Sequence, residues 1–65
     1  MIIRVNGEEQ EVAARDLASL IDELDYGDQT VATAHNKNFV RKKDRAETPL
    51  AAGDEVEILT PRQGG

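Results

Sequence analysis

The chain has 65 residues, no cysteine, one histidine (His35) and only two aromatic side chains, Tyr26 and Phe39. That describes one small domain, burying only about 60% of its unfolded surface, without a disulfide, a thiolate metal site or an imidazole-rich one. A formal net charge of −5 disfavours nucleic acid, and no apolar run reaches the length of a membrane span or signal-peptide core, so a cytoplasmic protein without nucleic-acid or membrane partners is expected.

The first strand is read at Met1–Val5, β-branched, with Ile3 and Val5 on one face. Asn6-Gly7 predicts a two-residue type I′ turn, since both central positions need positive φ. Residues 9–13 return as the second strand, with Glu8, Glu9 and Glu11 exposed and guarding the sheet edge. Leu17, Leu20, Ile21 and Leu24 fall at i, i+3, i+4 and i+7, which predicts a helix whose apolar stripe is core. Asp16 is its expected N-cap, and Gly27 its expected left-handed C′ residue. Asp22, Glu23, Asp25 and Asp28 crowd the negative end of the helix dipole without a neighbouring cation. An acidic patch facing a partner is one reading of them.

Residues 30–35 read as a third strand, with Ala32 and Ala34 small enough to lie beneath the helix. A turn at 36–38 leads to a fourth strand at 39–41, an irregular stretch at 42–49 and a turn at 52–54. The last strand, Glu55–Leu59, alternates cleanly and turns Val56 and Ile58 inward. One helix cannot cover both faces of such a sheet, so one face meets solvent or a partner. Ile2, Arg4, Glu57 and Leu59 belong to the outward set. Ile2 and Leu59, with Phe39 or Val40, make a candidate partner surface if their strands lie side by side.

Charge is unevenly spread. Lys37, Arg41, Lys42, Lys43 and Arg45 stand against Asp44 alone, leaving the rest of the chain strongly acidic. The cluster reads as a solvated basic edge or as a dock for an acidic partner. His35 is either a structural strand-end residue or a lone general base or ligand. Asp54, Glu55 and Glu57 do not make a catalytic pair, because alternation sets Glu55 and Glu57 side by side on an open face. The chain closes on Pro61-Arg62-Gln63-Gly64-Gly65. Glycines without Cβ atoms can enter a narrow cleft and leave a terminal carboxylate open to attack, so a domain at 1–60 with a flexible tail at 61–65 is expected. Arg62 is either a solubilising residue or a planar fork for a carboxylate or phosphate on a partner.

Taken in order, Ile3–Glu8, the helix after Asp16, Val31–Asn36, Gly53–Ile58 and Gly64-Gly65 resemble the sulfur carriers of thiamine biosynthesis, the ubiquitin-like ThiS family. The resemblance spans essentially the whole chain. It implies an α+β fold of the β-grasp type, a mixed sheet of four to five strands with one main helix packed on one face. It also implies a protein cosubstrate, not an enzyme, with no bound cofactor. A ThiF-type adenylating enzyme, resembling the ubiquitin-activating enzymes, would use ATP and Mg²⁺ to adenylate the Gly65 carboxylate. Gly64 and Arg62 would help it recognise the tail. A sulfurtransferase or other persulfide donor would then convert the adenylate to a thiocarboxylate, and a ThiG-type thiazole synthase would take the sulfur. Two departures stand out. Val40-Arg41 lacks the proline that often follows this valine, and Thr60–Gln63 replaces the small apolar residues common before the glycines.

Cysteine-free composition agrees from the residues upward, since sulfur cannot ride on a thiolate here. The small subunit of molybdopterin synthase uses the same thiocarboxylate and stays as an alternative. So does a ubiquitin-like modifier joined to target lysines through Gly65, and so does a plain interaction module with incidental glycines.

Overall fold

A computed structural model describes residues 1–27 and 29–61. Five strands, β1 (Ile2–Val5), β2 (Glu8–Glu11), β3 (Ala32–His35), β4 (Asn38–Val40) and β5 (Glu55–Leu59), form one sheet in the order β2-β1-β5-β3-β4. The central pair β1/β5 is parallel, and the other three pairings are antiparallel. Helix α1 (Leu17–Glu23) and a 3₁₀ helix (Lys42–Glu47) complete the order of elements. This is the β-grasp arrangement: a mixed sheet with its one α-helix on one face.

Alternation along the strands decides which face is covered. Ile3, Val5, Val56 and Ile58 are buried, and Ile2, Arg4, Glu57 and Leu59 are exposed. Leu17, Leu20 and Ile21 of α1 join that core together with Val12, Ala14, Val31 and Leu50. Asp16 caps the helix as expected, with Oδ1 accepting from Ser19 N–H at 2.8 Å.

The other end of α1 differs from expectation. The helix stops at Glu23 and Leu24 is its cap; Asp25, not Gly27, takes the left-handed conformation at φ 68°. Asp25 N–H donates to Asp22 O and Tyr26 N–H to Ile21 O, the paired bonds of a Schellman ending. Asp tolerates this region because its short side chain bonds locally. The anchor that fixes the position is Tyr26, which packs against the core just beyond the turn. Gly27 serves a different need, since a Cβ there would sit 2.9 Å from Asp22 Oδ1.

Strand β3 presents the opposite face from the one expected. Thr33 is buried, and Ala32 and Ala34 lie half-exposed, in line across the sheet with Leu59 and Glu57. A hydroxyl occupies the core face because it is fully bonded there. Thr33 Oγ1 donates to Val40 O at 2.8 Å and accepts from Arg45 Nε at 3.1 Å. Arg45 itself is only 7% exposed, and its Nη2 donates to Val31 O at 2.7 Å. One member of the expected basic cluster is thus an internal strut. The stretch expected to be irregular at 42–49 is consequently a 3₁₀ helix over most of its length, held by Arg45 beneath it and by bonds such as Thr48 N–H to Arg45 O.

Candidate functional site: the tail-bearing strand and the open face

Everything that bears on the chain's end converges on β5. Its parallel neighbour β1 pairs with it only at Arg4/Glu55 and Val5/Val56. Past that point β1 leaves the sheet through the expected type I′ turn, Asn6 at φ 51° and Gly7 at φ 86°. On the other side β3 pairs as far as Ala32/Leu59. Two asparagine side chains complete the hold. Asn6 Oδ1 accepts from Ile58 N–H at 2.8 Å, and its Nδ2 donates to Ile58 O at 3.2 Å. Asn36, in the turn between β3 and β4 at φ 49°, accepts from Glu55 N–H through Oδ1 at 2.8 Å. One clamp therefore grips β5 at its start and the other next to its end. Sequence reading took both asparagines as turn formers. Nothing local in the sequence distinguishes a turn asparagine from one whose carboxamide also substitutes for a missing strand.

The uncovered face of the sheet carries the exposed apolar residues. Phe39 is 71% and Leu59 69% exposed, and with Ala32, Ala34 and Glu57 they border a shallow hollow of about 80 Å³. The four residues expected to form a partner surface do not all meet. Val40 pairs with Thr33, so it points to the core side and packs there half-buried. Ile2 is exposed on the same face as Leu59, but the parallel register places it beside Gly53, whose N–H donates to Ile2 O. Leu59 lies six residues further along β5, roughly 20 Å at strand rise. Ile2 sits instead in a charged groove with Arg4, Glu9 and Glu55. Phe39 and Leu59 are the pair that the fold brings together.

The polar candidates sort in the same way. His35 Nε2 lies 2.7 Å from Asp54 Oδ2, which also accepts from Ala51 N–H at 2.9 Å. The bond to His35 holds the Asp54 carboxyl below the usual carboxylate range, against the opposing effect of burial. The pair stands where β5 begins, at the opposite end of the strand from the tail, and ties the 51–54 turn to β3. Among the described residues no group of three or more His, Cys, Asp or Glu could hold a metal ion. In the basic stretch Arg41 pairs with Asp44 at 3.1 Å, leaving Lys37, Lys42 and Lys43 as exposed side chains outside any ion pair among the described residues. Of the acidic group at the end of α1, Glu23 is bonded inward, accepting from the N–H groups of Ala13 and Ala14. Asp28, Arg62, Gly64 and Gly65 lie outside the described residues, and so does nearly all of the expected tail. No helix among the described residues is long and apolar enough to cross a membrane.

The sequence profile of the ThiS family matches residues 3–65. The chain is also similar to the crystal structure of a thiamine biosynthesis protein (ThiS) from Geobacter metallireducens. The two superpose with a TM-score of 0.83 at 25% identity, covering 100% of both chains. No curated protein sequence matches the chain.

Proposed function

Because the chain belongs to the ThiS family, we propose that it is a sulfur carrier of thiamine biosynthesis, charged at the carboxylate of Gly65. The observation that carries this reading is the family match itself, which runs through the final Gly64-Gly65 directly behind a strand pinned on both sides. A carboxylate is a poor acyl group until its oxygen is converted to a leaving group. A ThiF-type adenylating enzyme supplies that step with ATP and Mg²⁺: a Gly65 oxygen attacks the α-phosphorus and pyrophosphate leaves. The terminal sulfur of a persulfide donor then attacks the acyl carbon and AMP departs. A thiol reductant cleaves the S–S bond of the resulting acyl disulfide, and a thiocarboxylate remains for a ThiG-type thiazole synthase. This chain contributes no catalytic group of its own and serves as the cosubstrate. Its part is to present residues 61–65 as a tail narrow enough for the partner's cleft, with Gly64 and Arg62 as recognition points. A cytoplasmic setting fits the ATP that the reaction consumes.

Phe39 and Leu59, on the open face beside the root of that tail, are the docking pair in this reading. Their exposure suits a surface that two successive partners cover in turn.

The test is an intact mass after incubation with ATP, Mg²⁺, a sulfide source and a ThiF-type enzyme. A gain of about 16 Da is expected, one oxygen exchanged for sulfur, and it is absent from a Gly65 deletion that melts at the wild-type temperature. No gain in the intact chain overturns the reading.

A further inference from the structure

Asn6 stands where β5 would otherwise lose its support. Asn6 N–H donates to Val56 O, the last backbone bond that the β1 side offers to β5. The next outward-facing backbone groups of β5 on that side are the N–H and C=O of Ile58, and the Asn6 carboxamide meets both. It reproduces a peptide unit where the real one has turned away. Two residues later Thr60 ends the pairing, and Pro61 has no N–H with which to extend it. The reacting carboxylate is therefore reached from a strand end fixed by one side chain on one side and by β3 on the other.

We infer that Asn6 is a positioning residue for the chemistry at Gly65, setting the point and direction from which the tail leaves the domain; this rests on the carrier reading above. A partner that docks the body and threads the tail must order every residue between the two. Backbone already ordered through Leu59 removes that much from the cost of association. Without the Asn6 clamp the last residues of β5 join the segment to be ordered. The penalty falls on binding, since the acyl carbon and its leaving group are untouched.

Asn36 supplies the control, because it clamps the same strand from a similar turn at the far end. Glycine satisfies a type I′ turn at either position, so Asn6→Gly and Asn36→Gly each remove a clamp and keep the hairpin. Steady-state thiocarboxylate formation is measured with a ThiF-type enzyme at a temperature where far-ultraviolet circular dichroism shows every variant folded. Asn6→Gly should raise KM for the carrier about tenfold, the cost of re-ordering roughly one backbone residue, and leave kcat unchanged. Amide exchange at Ile58 should quicken in the free protein. Asn36→Gly should leave KM at its wild-type value. Asn6→Asp keeps the acceptor for Ile58 N–H but sets a carboxylate oxygen against Ile58 O, so it also raises KM. Equal KM values for wild type and both Asn6 variants, or an equal rise in Asn36→Gly, overturn the inference. If the wild-type chain itself gains no sulfur, the carrier reading falls first, and this positioning role falls with it.

Discussion

The two faces of the sheet obey the same alternation but opposite constraints. On the covered face the central strand positions Ile3, Val5, Thr33, Val56 and Ile58 are buried, and even the polar members of that core, Thr33 and Arg45, are bonded to fixed partners. On the open face large apolar side chains stand in solvent, and the neighbours of Phe39 and Leu59 are two alanines and a glutamate. Residues on the first face are held by what the fold provides. Those on the second have no such support among the described residues, so their worth has to be sought in what the protein meets. Substitutions on the two faces should accordingly fail in different assays.

The largest effect belongs to the centre of the covered face. Leu20 is fully buried between α1 and the sheet, and Leu20→Ala removes about 2–5 kcal/mol through lost transfer energy and a residual cavity. Small domains have about 5–15 kcal/mol in total and short chains sit low in that range. Urea titration should find the variant largely unfolded or with a midpoint far below wild type. A midpoint equal to wild type would break the division between the faces at its strongest point.

Arg45→Ala comes next. The guanidinium is the donor to Val31 O and Thr33 Oγ1, and its loss leaves buried acceptors short of a partner, a cost of about 1–3 kcal/mol. If Arg45 instead belonged to a solvated docking edge, its removal would leave the melting temperature unchanged and lower the salt sensitivity of partner binding. Thermal melts at two ionic strengths separate these outcomes.

The pairing of His35 with Asp54 adds a pH signature. Asp54 is held below its ordinary value of 3.8 in the folded chain, so the unfolded state binds its proton first as pH falls. The stability it contributes is in place above about pH 4, the ordinary carboxylate range, and is lost as pH drops through the lowered folded value. Asp54→Asn should lose stability less steeply than wild type below pH 4, as measured by urea midpoints. Identical slopes would mean that the pair is not held in solution.

How far the sequence carries can be judged from these residues. Alternation in β1 and β5, the stripe Leu17-Leu20-Ile21, the Asp16 cap and the Asn6-Gly7 turn were legible because each is a local pattern with a local cause. The face of β3 was not. Hydropathy turns Ala32 and Ala34 inward, and the burial of Thr33 depends on Arg45, twelve residues away, and on the carbonyl of Val40. The end of α1 was misplaced because Tyr26, not a glycine, fixes it. Ile2 and Val40 entered the candidate surface because facing and register cannot be read from one strand alone: the partnering of Gly53 with Ile2 separates the first, and the pairing of Thr33 with Val40 turns the second inward. The candidate acceptor at Gly65 came from the terminal residues themselves, and no fold was needed to nominate it.

The smallest stability effects, and the sharpest test of the comparison, lie on the open face. Phe39→Ser and Leu59→Ser remove exposed side chains, so each should move stability by no more than about 0.5 kcal/mol. If the two form the docking pair, covering either side chain is worth about 1.5–3 kcal/mol. KM for thiocarboxylate formation should then rise by roughly tenfold to more than a hundredfold. Ile2→Ser is the matched control, exposed on the same face but set roughly 20 Å from Leu59 by the parallel register. It should leave both stability and KM unchanged. An equal KM rise in Ile2→Ser would extend the footprint over the whole face, whereas no rise in any of the three would move docking off the sheet and onto the tail and the remaining lysines.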